Sequence, residues 1–168
     1  MKALKKTLNG ITSVLVALIV LLALALVGVR LFGLTPYVVL SGSMEPTYHV
    51  GSLLYVKKIA PEAVQVGDPI TFVLDENLTV VTHRVVEIDA ENQYFYTKGD
   101  ANDAVDGSPV YFPNLIGKPV FSVPYLGYVA DFVQQPPGMY ISISIAAIVL
   151  LLAFVPDLLR DPEKKRKK

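Results

Sequence analysis

The chain of 168 residues contains no cysteine, which excludes a disulfide framework and any thiolate metal site. Histidine is nearly as scarce. His49 and His83 are the only two, too few for a His-rich metal centre, although histidine with carboxylates stays possible on paper. Charged residues are only 18% of the chain against 52% hydrophobic, and the apolar excess lies in segments rather than being spread through a large core. The formal net charge of zero hides an asymmetry. Lys2, Lys5 and Lys6 stand without an acid in the first ten residues, and Arg160 with Lys164, Lys165, Arg166, Lys167 and Lys168 outweighs Asp157, Asp161 and Glu163 at the other end. Residues 31–138 carry five basic and twelve acidic side chains, a net of −7. Such a middle lacks the basic footprint that nucleic-acid binding needs, so no nucleic-acid partner is expected.

Two long apolar runs are present. Ile11–Val29 has no charge over nineteen residues, and as a helix it extends ~28 Å at 1.5 Å per residue, close to the hydrocarbon thickness of a bilayer. It is longer than the apolar part of a cleavable leader, and its Arg30-Leu31-Phe32 exit is poor for cleavage, so an uncleaved anchor is expected. Met139–Val155 is a second expected span, at the short end of the range, with Tyr140 at one interface and Pro156 and the basic tail at the other. Positively charged flanks stay in the cytoplasm, so both ends are expected there and residues 36–138 outside; Arg30 mildly opposes this.

The middle has no long helical period. Ser52–Lys58, Ile70–Leu74, Thr79–Ile88, Gln93–Thr97 and Pro119–Val123 read instead as short strands, separated by Gly51, Gly67-Asp68-Pro69, Asp75-Glu76-Asn77 and Asp89–Asn92. Gln134–Gly138 reads as a linker. The expectation is three parts: a basic end and anchor over 1–35, a small β-domain over 36–138, and a second span with a basic tail over 139–168.

Three stretches in the middle bear chemistry. In Ser41-Gly42-Ser43-Met44-Glu45-Pro46, Gly42 removes bulk beside Ser43, and Ser41 can add a hydroxyl donor to the Ser43 N–H at an oxyanion hole. Taken alone, such a stretch is more often a polar turn. Thr82-His83-Arg84 offers an imidazole suited to a general base, or a structural histidine on a strand. His49, and Lys57 or Lys58 if buried, are alternative bases. Lys98–Gly107 holds Asp100, Asp103 and Asp106; it lacks the last glutamate of an EF-hand loop, so it is an exposed acidic turn or the source of a carboxylate that orients the histidine.

In their order these pieces resemble signal peptidase I, a membrane-bound serine protease family. The resemblance runs through S-G-S-M-E-P-T at 41–47, G-S-L-L-Y-V after it, G-D-P-I-T-F at 67–72, T-H-R-V-V at 82–86 and K-G-D-A-N-D-A-V-D at 98–106. Histidine where bacterial-type members carry lysine resembles the archaeal and endoplasmic-reticulum type. The resemblance implies Ser43 as nucleophile, His83 as general base, and Ser41 with the Ser43 N–H as oxyanion donors. Asp106 matches the triad acid and Asp100 a supporting carboxylate, with the assignment between the two left open. Asp103 acquires no role, and Ala101 stands where many members have Asn. It further implies a mostly β fold flanked by two transmembrane helices, cleavage of exported preproteins after small residues (Ala-x-Ala-like) and no cofactor. The implied partners are secretory preproteins, membrane lipid, and translocation machinery or accessory subunits. The competing readings are a non-catalytic membrane adaptor with an outward β-domain, and a self-cleaving repressor-type protease, which needs a cytoplasmic domain and a Ser–Lys pair.

Overall fold

The β-branched and aromatic runs of the middle segment do form strands, each ended by the glycine, proline or Asx cluster that breaks its period. A computed structural model describes residues 2–75 and 77–158. In chain order the elements are α1 (Lys2–Leu26), β1 (Leu34–Val38), β2 (Leu53–Lys57), β3 (Pro69–Val73), β4 (Val80–Asp89), β5 (Tyr94–Lys98), β6 (Val110–Tyr111), β7 (Leu115–Val123), α2 (Leu126–Gln134) and α3 (Gly138–Leu158). Short 3-10 turns occupy Gly28–Phe32, Pro61–Ala63 and Phe112–Asn114. The chain divides into two compact units, one of them Val29–Asp131, the other containing α1 and α3.

The seven strands make one sheet in the order β1-β2-β7-β3-β4-β5-β6, with every neighbouring pair antiparallel. β7 joins its two halves: Lys118–Val123 pairs with β2, and Leu115 and Gly117 pair with β3. Inward positions of β3, β4 and β5 alternate, so Ile70, Phe72, Val85 and Phe95 gather with Val64 and Val110 into a buried cluster. Phe95 lies fully buried and stacks on Phe112 with ring centroids 4.3 Å apart. β2 is buried along Leu53–Val56, and Tyr55 stacks on Phe121.

β1, β6, β7 and α2 differ from the sequence expectations, β7 by beginning at Leu115 rather than Pro119. β1, where no strand was expected, follows the Gly28–Phe32 turn, and its Pro36 is tolerated because at the sheet edge a proline costs no interior ladder bond. β6 is only two residues long. α2 occupies a stretch expected to lack helix; Leu126, Val129, Ala130 and Val133 recur with the helical period, and its buried Gly127 packs so closely that a Cβ there would lie 2.4 Å from the Ser52 carbonyl oxygen.

In the other unit α1 and α3 pack on one another. Among the described residues, α1 alone is long and apolar enough to cross a membrane, over Asn9–Leu26; α3 passes the same test only when joined to α2 across a bent break. The basic tail over 159–168, and Glu76 in the turn before β4, lie outside the described residues.

Candidate active site

Ser41-Gly42-Ser43 opens the loop that connects β1 to β2. The loop is closed at its base by Val39 N–H donating to the Ser52 carbonyl at 2.9 Å and Gly51 N–H donating to the Val39 carbonyl at 2.9 Å. Met44, 3% exposed, drops its side chain inward and holds Ser43 at the surface of the β-unit. Turn bonds from Glu45 N–H to the Gly42 carbonyl (3.0 Å) and from Tyr48 N–H to the Met44 carbonyl (2.9 Å) shape the rest. The Glu45 carboxylate accepts from His49 Nδ1 at 2.5 Å and from Val50 N–H at 3.3 Å, a clasp inside the loop.

On β4, the alternation places His83 on the same face as Val85 of the apolar cluster and Val81, which packs against it. Its ring meets the edge of Phe72 at a centroid distance of 6.4 Å. Two polar contacts leave this apolar bed. His83 Nε2 lies 3.1 Å from Ser43 Oγ, and His83 Nδ1 lies 2.6 Å from Asp106 Oδ2. A carboxylate can only accept, so Nδ1 carries the hydrogen and, in the neutral ring, Nε2 presents its lone pair to the serine hydroxyl. Ser41 Oγ stands 3.4 Å from Ser43 Oγ. The segment carrying Asp106 is anchored to β5: Asp106 N–H donates to the Thr97 carbonyl at 2.9 Å, and the Thr97 hydroxyl donates to Asp106 Oδ2 at 2.7 Å.

Asp100 is not at the histidine in the same way. Its two oxygens accept from Arg84 Nε at 2.7 Å and Arg84 Nη2 at 2.6 Å, and the Thr47 hydroxyl adds a third donor. Arg84 Nη1 also donates to the Gly67 carbonyl at 2.7 Å. The Arg84 hydrogen bonds hold the Asp100 carboxyl below the usual carboxylate range, outweighing the opposite pull of burial, with the Thr47 bond helping. The two acids left open by the sequence therefore occupy distinct positions: Asp106 on the imidazole, Asp100 in a cross-brace between β4 and the serine loop.

The same two loops touch through their backbones. Ala101 N–H donates to the Ser43 carbonyl at 2.9 Å, and a Cβ on Gly99 would lie 2.6 Å from that carbonyl oxygen. Glycine is needed here for close approach. The other candidate bases stand apart: His49 is bound to Glu45, and Lys57 and Lys58 are exposed. Asp103 is exposed.

A cleft of about 380 Å³ opens beside Ser43. Residues 37–41 form one wall and residues 79–82 the other, with Met44, Tyr48 and Leu54 among the remaining lining groups. Both walls carry free strand edges: β1 has β2 as its single neighbour, and β4 pairs with β5 only from Arg84 onward. Sequence reading gave no role to Thr97, nor to Arg84, Thr47 and Gly99, which stand within the quoted motifs. Thr97 had a detectable signal, a hydroxyl at an inward position of the Tyr94–Lys98 alternation; the others show themselves only once two distant loops meet.

Comparison with known proteins follows the same lines. Residues 11–102 match the family described as signal peptidase, peptidase S26. Signal peptidase I W of Bacillus subtilis is 42% identical over 121 residues, covering 66% of this chain and 63% of its own length. The signal peptidase complex catalytic subunit SEC11C of Rattus norvegicus is 28% identical over 127 residues, covering 68% of this chain and 66% of its own. The putative signal peptidase complex catalytic subunit SEC11B of Homo sapiens is 32% identical over 114 residues, with coverages of 61% and 68%. The chain spans just under two thirds of the length of the first two relatives.

Proposed function

With a match over more than half its length the chain belongs to the signal peptidase, peptidase S26, family, and we propose that it is a membrane-anchored serine endopeptidase that removes signal peptides from exported preproteins. The observation that carries this reading is the unbroken run of contacts Ser43 Oγ–His83 Nε2 and His83 Nδ1–Asp106 Oδ2 at 3.1 and 2.6 Å, beside an apolar cleft.

The preprotein's cleavage segment enters the cleft extended and adds as a strand to the edges of β1 and β4, so that main-chain bonds supply affinity. Apolar walls that admit small side chains give the Ala-x-Ala-like preference. Ser43 Oγ attacks the scissile carbonyl carbon while its proton passes to His83 Nε2. The ionised Asp106 stabilises the imidazolium through Nδ1–H. The Ser43 N–H and the Ser41 hydroxyl donate to the oxyanion. As the C–N bond breaks, Nε2 returns the proton to the leaving amine. Water then loses a proton to His83, attacks the acyl-enzyme, and Ser43 leaves with that proton restored.

The lysine-flanked α1 fits an anchor, with α3 as a second span, both chain ends cytoplasmic and residues 36–138 outside. Two relatives are named as catalytic subunits of a complex, which makes accessory subunits a partner class alongside preproteins and lipid. Cleavage of a model preprotein by the purified chain in detergent tests the reading. Ser43→Ala and His83→Ala are each expected to abolish product while retaining the wild-type melting transition. Full activity in Ser43→Ala refutes the mechanism, and full activity in His83→Ala with loss in Lys57→Ala or Lys58→Ala replaces the base.

A further inference from the structure

Thr97 is fully buried, on the same face of β5 as Phe95, where the alternation of the strand calls for an apolar side chain. An alcohol there must place its hydrogen on an acceptor, because an unpaired buried hydroxyl costs on the order of 1–3 kcal/mol. The acceptor is Asp106 Oδ2 at 2.7 Å, the same oxygen that accepts from His83 Nδ1 at 2.6 Å. The Thr97 carbonyl also accepts the Asp106 N–H at 2.9 Å. One residue of a sheet strand thus grips both the backbone and the carboxylate of an acid that otherwise lies in a loop between β5 and β6.

We propose that Thr97 is a positioning residue, whose hydroxyl fixes the rotation of the Asp106 carboxylate so that Oδ2 faces the imidazole. The inference rests on the reading of Ser43, His83 and Asp106 as the reacting chain. Its physical content is directional. A carboxylate held at one oxygen by two converging donors cannot swing away from His83, and the ring then keeps its hydrogen on Nδ1 and its lone pair on Nε2. Without the threonine donor, the carboxylate rotates and samples solvent, and a fraction of the rings turns or adopts the other tautomer. Binding of the peptide in the cleft is untouched, because Thr97 does not line it. The loss therefore falls on kcat and spares KM.

The test uses the full chain in detergent with a model preprotein, comparing wild type, Ser43→Ala, Thr97→Val, Thr97→Ser and Thr97→Ala. Valine keeps the shape and removes the hydroxyl, and is expected to lower kcat about 10- to 100-fold, the range for one hydrogen bond to a charged group, with KM within two-fold. Serine keeps the donor and is expected to restore kcat to within about three-fold of wild type. A residue that only supports the fold gives no such rescue and no kcat-selective loss. Thr97→Val with at least half the wild-type kcat overturns the inference, as does Thr97→Ser as slow as Thr97→Val. If the valine variant shows no melting transition, the alanine variant decides in its place. Loss of folding in both makes Thr97 a fold residue and overturns the proposal. Ser43→Ala that still cleaves removes the underlying reading together with the inference, whereas an inactive Ser43→Ala beside a fully active Thr97→Val removes the inference alone.

Discussion

Gly99→Ala is the sharpest probe of how the serine is placed. The added Cβ would stand 2.6 Å from the Ser43 carbonyl oxygen and 2.7 Å from Asn102 Nδ2, whereas ordinary contact begins at 3.4 Å. The Asn102 side chain can rotate away. The carbonyl belongs to the backbone of the nucleophile itself, so relief requires the loop to retreat by about 0.8 Å, the difference between 3.4 and 2.6 Å. The same movement strains the Ala101 N–H bond to that carbonyl, now 2.9 Å. Along the line to His83 it would open the 3.1 Å Ser43–His83 contact to nearly 4 Å. Misplacement of about 1 Å at a reacting group costs on the order of 100-fold, or about 2.7 kcal/mol of barrier. Steady-state cleavage of a model preprotein measures it, with circular dichroism and melting as controls for folding. Gly107→Ala, where a Cβ meets nothing within 4 Å, serves as the neutral comparison and is expected within two-fold of wild type. Gly99→Ala cleaving at the wild-type rate would refute the argument that contact between the two loops sets the serine.

Other outcomes follow from the cross-brace and the core. Arg84→Ala leaves the Asp100 carboxylate, 14% exposed, without its two-point partner and is expected to destabilise the β-unit by about 2–3 kcal/mol, read as a lowered melting temperature. Since the folded Asp100 is held below its unfolded value, its contribution is fully present above about pH 4 and fades as pH falls through the lower folded value. Asp100→Asn therefore differs from wild type most at neutral pH, and the two melting curves are expected to converge in acid; a constant gap from pH 7 to pH 3 refutes this. Phe95→Ala, at a fully buried site stacked on Phe112, is expected to cost about 3–5 kcal/mol in the same melting assay.

Strands β2 to β5 were legible because their side chains repeat with the sheet's period and their ends carry glycine, proline or Asx turns. β1 was not, since Leu34–Val38 is a short, mostly apolar run holding Pro36 and close behind the first apolar segment, with no polar alternation to set it apart as a strand. α2 was hidden because, although Leu126, Val129, Ala130 and Val133 keep the helical spacing, nine residues are too few for that period to stand out. At the site, the family resemblance carried by the motifs implied Ser43 and His83 as the pair, whereas residue types alone left His49, Lys57 and Lys58 open as bases. Neither settled the choice between Asp106 and Asp100, six positions apart in the same acidic turn.

The linear chain by itself determined the chemistry on offer: a cysteine-free, acidic β-segment behind a charge-free apolar run, with one serine loop, one strand histidine and a carboxylate turn. Local periodicity and composition carry that information directly. Which carboxylate meets the imidazole, which arginine braces the other, and why Gly99 and Thr97 are needed were decided only by tertiary structure. Those facts depend on the sheet order and register that bring residues 43, 83, 97 and 106 within hydrogen-bond range, a condition on distance in space that no spacing along the chain encodes.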